Sequence, residues 1–311
     1  MTTIDFVTCN FEDNGGGDRR KWREAHAFLA SLRPAALFRQ EMWDALDNDG
    51  ELAKRAETVL AMRGWVGRGS ATALYADPQV FESPRGWADS GWQLEPTARS
   101  LRLRDTGGET LPIVCVSHHL THSSCTARAI EGEHLTRFLD KDHITGSGAT
   151  VKLPAILGGD RNSYRVPIPG GPALPNLEAI ADAVHRIHRS RRGPDGVRIP
   201  DTHTDREMRA VGAEDAARHI ARTHGRMAAL APTVIDKPSQ GPAMAVDGFW
   251  MSRILLPALV DVDVIDMGGL SDHHAVRARL HRGTLADILR RAAAPHPDRE
   301  HAAAPIRSAA L

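Results

Sequence analysis

The segment from Leu153 to Asn162 constrains this chain more than any other, because it joins an apolar run to a glycine pair and two polar residues. Its sequence is Leu-Pro-Ala-Ile-Leu-Gly-Gly-Asp-Arg-Asn. A short apolar run that ends in Gly158-Gly159 predicts a buried strand that opens into a tight turn. Asp160 and Asn162 are two residues apart, so their side chains share one face if the strand geometry continues. Asp and Asn are also common in ordinary turns, and this segment alone leaves both interpretations open.

Two earlier strands also end in polar residues. Thr3–Cys9 has the pattern of a strand and is followed by Asn10. A helix then runs to a stop at Pro34, and a second short strand, Ala35–Arg39, is followed by Gln40 and Glu41. A strand, helix and strand in this order predict a parallel pair of strands. The carboxyl ends of the two strands, with Asn10 and Glu41, are therefore expected at the same edge of one sheet.

Three later segments add polar residues at strand ends. The strand from Leu111 leads into His118 and His119, Asp247 begins another strand, and Asp272 and His273 precede the last one. The neighbouring histidines suggest zinc as an alternative. Adjacent residues of an extended strand point to opposite faces, however, so one ion does not reach both His118 and His119 without a bend.

Composition narrows the class of protein without identifying it. The chain has 311 residues, 41% of them hydrophobic and 25% charged, which are globular values. Lys and Arg total 39, as do Asp and Glu, so net charge gives no sign of a nucleic-acid partner. No apolar run is long enough to span a bilayer, and the first residues lack a secretory pattern, so a cytoplasmic location is expected. Three widely spaced cysteines predict neither a disulfide framework nor a zinc knuckle.

The ordered set of polar residues resembles the endonuclease/exonuclease/phosphatase superfamily, the DNase I-like metal phosphoesterases. The motifs are Asn10, Gln40-Glu41, His119-Leu120, Asp160-x-Asn162, Asp247 and Ser271-Asp272-His273. The resemblance covers Thr3 to about Leu280. It implies an α/β (α+β) fold, a four-layer α/β/β/α sandwich in which two mixed sheets pack face to face with helices outside. It also implies an active site at one edge of the sandwich.

The resemblance assigns roles to these positions. Glu41 matches the family's metal-binding Glu, with Asn10 and Asp272 completing or orienting the metal shell, and the implied cofactor is Mg²⁺ or Mn²⁺. Asp160 matches the residue that positions or deprotonates the attacking water, and Asn162 would hold a phosphate oxygen. His273 would bind the phosphoryl group.

The remaining roles concern groups around the phosphate. Asp247 would orient His273 and favour its charged form, and His119 would be a further donor or the leaving-group acid. Arg99 matches a family phosphate contact. Arg161 stands where the family often has an aromatic residue, and it is expected either to contact the substrate or to form a surface ion pair.

Residues 1–281 are expected to form one catalytic domain, in which the long insertion 163–245 is a specificity lid. A short helix and a disordered tail are expected in 282–311. Within the insertion, apolar residues at helical spacing predict an amphipathic helix at 177–187, and 189–204 is expected to be a mobile loop.

The substrate is expected to be nucleic acid or a phosphorylated small molecule. Between residues 186 and 226 there are ten Arg and six acidic residues, an excess that suits a nucleic-acid backbone or a multiply phosphorylated ligand. Phosphodiester cleavage in nucleic acid is the first hypothesis. The alternatives are a phosphatase or phosphodiesterase acting on a small molecule or lipid head group, and a catalytically silent binding module. No protein partner is predicted.

Overall fold

The computed structural model describes residues 2–87, 91–92 and 94–294. Within these residues the α-helices are α1 (Arg19–Ser31), α2 (Asp47–Leu60), α3 (Cys125–Leu135), α4 (Ala183–His188), α5 (His203–Ala210), α6 (Ala216–His224) and α7 (Arg282–Ala293). The strands are β1 (Thr3–Asn10), β2 (Ala36–Gln40), β3 (Arg63–Val66), β4 (Thr72–Ala76), β5 (Phe81–Gly86), β6 (Thr97–Leu103), β7 (Ile113–His119), β8 (Asp142–Ile144), β9 (Thr150–Lys152), β10 (Ala155–Asp160), β11 (Ser190–Arg192), β12 (Arg198–Pro200), β13 (Ala213–Asp215), β14 (Asp247–Ser252), β15 (Leu259–Ile265) and β16 (Ala275–His281).

Two six-stranded sheets form the centre of the molecule. The first has the order β15-β16-β1-β2-β4-β3, and the second has the order β13-β14-β10-β7-β6-β5. Each sheet mixes parallel and antiparallel pairs. The pairs β8–β9 and β11–β12 are separate hairpins. The sheets pack face to face and helices lie outside them, which confirms the sandwich predicted from the sequence.

Helix α1 shows how local sequence builds an outer layer. The Asp18 carboxylate caps the helix by accepting the backbone N–H groups of residues 20 and 21. Trp22, Ala25 and Leu29 recur at helical spacing and are buried. Their side chains belong to the same apolar cluster as Leu37 of β2, on the outer face of the first sheet. This apolar face therefore holds the helix against the first sheet.

The glycine pair lies inside β10, and the turn expected at Gly158-Gly159 is wrong. A Cβ atom at Gly158 would be 2.5 Å from the Phe249 ring and 3.0 Å from the Phe38 ring, which pack edge to face between the sheets. A Cβ atom at Gly159 would be 1.8 Å from the His118 carbonyl oxygen. Both positions need glycine because neighbouring groups approach the strand closely.

The strand directions bring the polar residues to one edge. β1 pairs in parallel with β2, so Asn10 lies beside Gln40. β7 pairs in parallel with β10, so His119 lies beside Asp160. β14 runs antiparallel to β10 and places Asp247 opposite Asp160. β16 runs antiparallel to β1, so the residues before it reach the same edge.

The insertion departs from the sequence-based expectations. The helix expected at 177–187 is wrong: a single 3₁₀ turn at Leu177–Ala179 precedes the short α4, and Val184 and Ile187 are exposed. The expected loop at 189–204 instead contains the β11–β12 hairpin. Strand β13, also from the insertion, forms the edge of the second sheet.

The C-terminal helix is longer than expected, since α7 spans Arg282–Ala293 and buries Leu285 and Leu289. The tail expected to be disordered lies beyond residue 294, outside the described residues. In the part of the chain that the structure describes, no helix is both long enough and apolar enough to cross a bilayer.

Candidate active site

Asp160 is the centre of the site, and its carboxylate is buried among donors. Oδ1 accepts the backbone N–H of Asn162 at 2.7 Å. Oδ2 lies 3.2 Å from the side-chain nitrogens of both Asn10 and Asn162, and 3.6 Å from His119 Nε2. Strand β10 ends at Asp160, and Asn162 has a left-handed φ of 49°. The two side chains therefore meet through a turn rather than along an extended strand.

His273 and Asp247 form a second unit beside Asp160. His273 Nδ1 is 2.8 Å from Asp247 Oδ2, and the same carboxylate oxygen accepts the Thr233 hydroxyl at 2.6 Å. Thr233 Oγ1 in turn accepts the backbone N–H of Asp247. Burial raises the pKa of Asp247, but the His273 ring and the Thr233 hydroxyl on Oδ2 favour its carboxylate form, and we place the shared proton on His273.

The electrostatics of the site follow from these contacts. Burial works against a charged His273 ring, but Asp247, and further away Asp160 and Asp272, raise its pKa to about 10. Burial also opposes ionisation of Asp160, yet His273, His119 and the Asn162 N–H hold the pKa of that carboxyl below its usual value. At neutral pH the site therefore combines an imidazolium at His273 with a carboxylate at Asp160.

Three oxygen-bearing residues are available for a metal ion, as the resemblance implies. Asn10 Nδ2 donates to Glu41 Oε1 at 3.0 Å, and the buried Asn10 Oδ1 has no hydrogen-bond partner among the described residues. The same is true of the buried Asp272 Oδ1. Carboxylate and amide oxygens are the ligands that Mg²⁺ prefers, so this donor set fits Mg²⁺ or Mn²⁺. Glu41 has a left-handed φ of 56°, a conformation that carries strain and is frequent at functional sites.

A second candidate metal group consists of Asp160, Asp247 and His273, whose ligand atoms all lie within 4.8 Å of one another. It suits a hard cation less well, because the His273–Asp247 bond and the Thr233 hydroxyl already occupy Asp247 Oδ2. That oxygen is therefore less available to a cation than the oxygens of Asn10 and Asp272 described above.

Two residues expected to contact substrate do not reach the site. Arg161 is fully buried, forms an ion pair with Asp215 at 2.5 Å and lies over the Trp250 ring at 4.5 Å. The substrate contact expected of it is wrong, and so is a surface ion pair, because the pair is in the interior. Arg99 lies over the Trp65 ring at 5.1 Å, at the β3 and β5 side of the sandwich, and contacts none of the other proposed site residues among those described.

The two neighbouring histidines of β7 occupy opposite faces, as the alternation of a strand requires. His118 is buried and stacks on Trp250, with ring centroids 5.2 Å apart. Burial and the nearby Arg161 lower the pKa of His118 to about 3, so its ring is neutral. His119 lies on the site face beside Asp160.

The insertion supplies three site residues that the sequence did not reveal. Arg189 Nη1 donates to Asn162 Oδ1 at 3.0 Å, and Thr233 binds Asp247 as described. Lys237 Nζ is 2.7 Å from Asp272 Oδ2. An excess of arginine was the only signal, and it did not distinguish Arg189 from its neighbours.

A cleft adjoins the site, and a second cleft lies beside the first and shares Tyr164 and Met244 with it. The cleft nearer the site is polar, and it contains Arg189, Lys237 and Asp272. The farther one is an apolar groove within the insertion. Its lining includes Val166, Ile168, Leu174, Leu230, Pro232 and Ala245.

Comparison with known proteins identifies the fold. No family model matches the sequence, and no curated protein matches it. Among solved structures, an AP endonuclease from Archaeoglobus fulgidus aligns with a TM-score of 0.57 at 12% identity, covering 88% of this chain and 98% of that one. An endonuclease/exonuclease/phosphatase protein from Bacteroides vulgatus aligns at 0.56 and 14% identity, covering 90% and 99%.

A third similar structure is D. rerio TDP2 in complex with a single-strand DNA product. It aligns with a TM-score of 0.56 at 12% identity, covering 90% of this chain and 99% of that one. At this identity the likeness is one of fold: the chain has the fold that the resemblance implied.

Proposed function

We propose that this protein is a metal-dependent phosphoesterase that hydrolyses phosphodiester bonds, with nucleic acid as its first candidate substrate. One observation carries the proposal. Asp160 and the His273-bound Asp247 of the second sheet lie at the same edge of the sandwich as Asn10 and Glu41 of the first sheet, and Asn10 bonds to both Asp160 and Glu41. A phosphodiester repels nucleophiles through its own negative charge, so its hydrolysis needs cations and fixed donors around the phosphoryl oxygens together with a base for water.

The chain's own groups divide the chemistry between them. Asp160 positions the attacking water and accepts its proton. The Asn162 amide, which in this structure donates to Leu120 O and Asp160 Oδ2, would turn one N–H to a phosphoryl oxygen when substrate binds. His273, protonated because Asp247 is beside it, donates to the phosphoryl group as charge develops. His119 is placed to donate to the leaving oxygen. A Mg²⁺ or Mn²⁺ ion bound by Glu41, Asn10 and Asp272 would supply Lewis-acid polarisation of a phosphoryl oxygen.

The nucleic-acid assignment draws support from the Arg-rich insertion and from the fold. The AP endonuclease and the DNA-bound TDP2 structure share this fold. A second candidate, a phosphate ester of a small molecule or lipid head group, draws support from the apolar groove next to the polar cleft. Such a groove suits the apolar part of an ester.

The test compares hydrolysis of several substrates with Mg²⁺ or Mn²⁺. Wild type, His273→Ala and His274→Ala are incubated with plasmid DNA, single-stranded DNA, RNA, bis(p-nitrophenyl) phosphate and a panel of phosphomonoesters. His274 is the matched control, because its ring faces Asp266 rather than Asp247. Nicking that is lost only in His273→Ala supports a nuclease. Monoester release without nicking would replace it with the small-molecule assignment.

A catalytically silent binding module is the remaining alternative. The proposed catalytic set is complete at the edge of the sandwich, which disfavours it. If no ester in the panel were hydrolysed, and Glu41→Ala bound a ligand as well as wild type, the enzyme assignment would fail.

A further inference from the structure

Arg189 forms no ion pair with any residue that the structure describes. It follows α4, directly before the β11–β12 hairpin, and Nη1 donates to Asn162 Oδ1 at 3.0 Å. Among the residues that the structure describes, no carboxylate lies within ion-pairing distance of it. A guanidinium has five N–H donors, so most of those of Arg189 have no acceptor among the described residues. Arg189 lies in the wall of the polar cleft, so its remaining N–H donors can bind a ligand there.

The hairpin after Arg189 extends the positive charge. Arg192 of β11 and Arg198 of β12 are direct cross-strand partners. Two like charges opposite each other destabilise a strand pair unless an anion lies between or beside them. Arg192 and Arg198 use only one guanidinium nitrogen each, on oxygens within the hairpin. The single carboxylate of the hairpin, Asp195, accepts the Val197 backbone N–H.

Much of the remaining arginine excess in the insertion is neutralised. Arg218 is buried between Asp205 and Glu214. Arg226 forms ion pairs with Asp261 and Asp263. The described Arg residues of the hairpin differ from these because none has a carboxylate partner. We call Arg189, which lies beside Asn162, and the cross-strand pair Arg192 and Arg198 of the following hairpin the cationic strip, since none of the three has a carboxylate partner among the described residues.

We propose that this cationic strip binds the phosphates that flank the scissile bond in a nucleic-acid strand. The inference rests on the proposed phosphodiesterase function. A guanidinium binds a phosphate through two parallel hydrogen bonds, which suits a repeating backbone. Arg189 would hold the phosphate adjacent to the one under attack, and the hairpin would hold those further along. Specificity for a substrate with several phosphates would then come from the insertion.

The proposal is tested by binding and by turnover separately. Binding of fluorescein-labelled hexathymidylate is measured by fluorescence anisotropy in EDTA at 50–300 mM NaCl. The proteins are wild type, Arg189→Ala, Arg192→Ala and Arg222→Ala. Arg222 is the matched control, since it removes the same charge from an exposed site on α6 in the same insertion. Turnover of the oligonucleotide is then compared with that of bis(p-nitrophenyl) phosphate, which has one phosphate.

Arg189→Ala and Arg192→Ala should each weaken oligonucleotide binding roughly fivefold to tenfold at 100 mM NaCl. Each should also reduce the slope of log affinity against log salt by about 0.7, the value for one single-strand phosphate contact. Arg222→Ala should change neither quantity. For Arg192→Ala, KM should rise for the oligonucleotide while bis(p-nitrophenyl) phosphate turnover stays within about twofold of wild type.

Three results would overturn the proposal. Unchanged salt slopes in both Arg189→Ala and Arg192→Ala would show that the strip contacts no nucleic-acid backbone. Equal loss of kcat on both substrates in Arg189→Ala, with oligonucleotide binding intact, would make Arg189 only a positioning residue for Asn162. Binding to phosphatidylserine vesicles but not to oligonucleotide would assign the strip to an anionic membrane surface. Binding is measured without metal, so the two proposals can fail separately. A protein that hydrolyses no ester would refute the proposed function, whereas the salt slopes of oligonucleotide binding would decide whether the cationic strip contacts a phosphate backbone.

Discussion

The substitution Asp247→Asn should uncouple the protonation of His273 from its geometry. Asn is nearly isosteric with Asp, and its amide oxygen can still accept a hydrogen bond from His273 Nδ1. The negative charge 2.8 Å from the ring is removed, however. Burial disfavours the charged ring, so without Asp247 the pKa of His273 should fall from about 10 to 6.5 or below.

The size of the effect follows from the two pKa values. With a pKa of about 10, about 97% of His273 is protonated at pH 8.5. With a pKa of 6.5, about 1% is protonated at that pH. Because the proposed mechanism needs the imidazolium, kcat/KM of Asp247→Asn at pH 8.5 should be roughly a hundredfold below its own value at low pH. Over the same range the alkaline limb of the wild type should not yet appear.

The assay is a profile of kcat/KM against pH from 5.5 to 10.5 with bis(p-nitrophenyl) phosphate, together with NMR titration of the His273 ring. Thr233→Val is a graded control, because it removes one hydrogen bond to Asp247 and leaves the charge in place. It should move the alkaline limb by less than one pH unit. An alkaline limb in Asp247→Asn at the same pH as in wild type would refute the reasoning, and so would a ring that titrates near 10 in the mutant.

The same pair links pH to stability. The folded pKa of His273 is raised, so the stabilisation it provides is fully present below pH 6.5 and is lost as pH rises through about 10. In Asp247→Asn that stabilisation should be absent, and the difference in free energy of unfolding between wild type and mutant should shrink as pH rises over this interval.

Four further substitutions test other parts of the structure. Asp160→Asn should lower kcat by roughly two to four powers of ten while leaving metal and ligand binding largely intact, as measured by single-turnover kinetics and calorimetry. Lys237→Met removes the ammonium that competes for Asp272 and should tighten Mn²⁺ binding roughly fivefold in a calorimetric titration; unchanged or weaker binding would contradict this competition. Arg161→Met breaks a buried ion pair and should reduce the free energy of unfolding in urea by roughly 3 kcal/mol. Gly158→Ala should cost roughly 2 kcal/mol by the same measurement, because its methyl group would overlap two phenylalanine rings.

The sequence predicts the strand-end residues well because they follow short apolar runs. Asn10, Glu41, His119 and Asp160 each follow such a run, and parallel pairing then brings their ends together. The sandwich itself came from the resemblance, since periodicity alone gives the order of elements and not the packing of two sheets. The resemblance in turn rested on the order of the polar residues at the strand ends.

Arg161 points away from Asp160, as the alternation of side chains along a strand requires. Adjacent residues at the end of a strand tend to face opposite sides, a rule that correctly separated His118 from His119. By the same alternation, if Asp160 faces the site, then Arg161 faces the opposite side of the sheet. In the structure Arg161 faces Trp250 and Asp215. Its buried carboxylate partner lies 54 positions later in the chain, so no local pattern could have identified it.

Thr233, Lys237 and Arg189 could not be predicted for a different reason. They come from a segment without regular periodicity, and each is placed by contacts with residues distant in sequence: Asp247, Asp272 and Asn162. The strand ends contribute carboxylates, amides and histidines, and of these His273 is the proposed cation. The insertion adds two cations, Arg189 beside Asn162 and Lys237 beside Asp272, and its Thr233 fixes a hydrogen bond to Asp247. Part of the positive charge that would attract a phosphate ester therefore comes from the insertion. Changes in the insertion should therefore alter which phosphate esters bind, whereas changes at Asp160 should alter turnover of every ester.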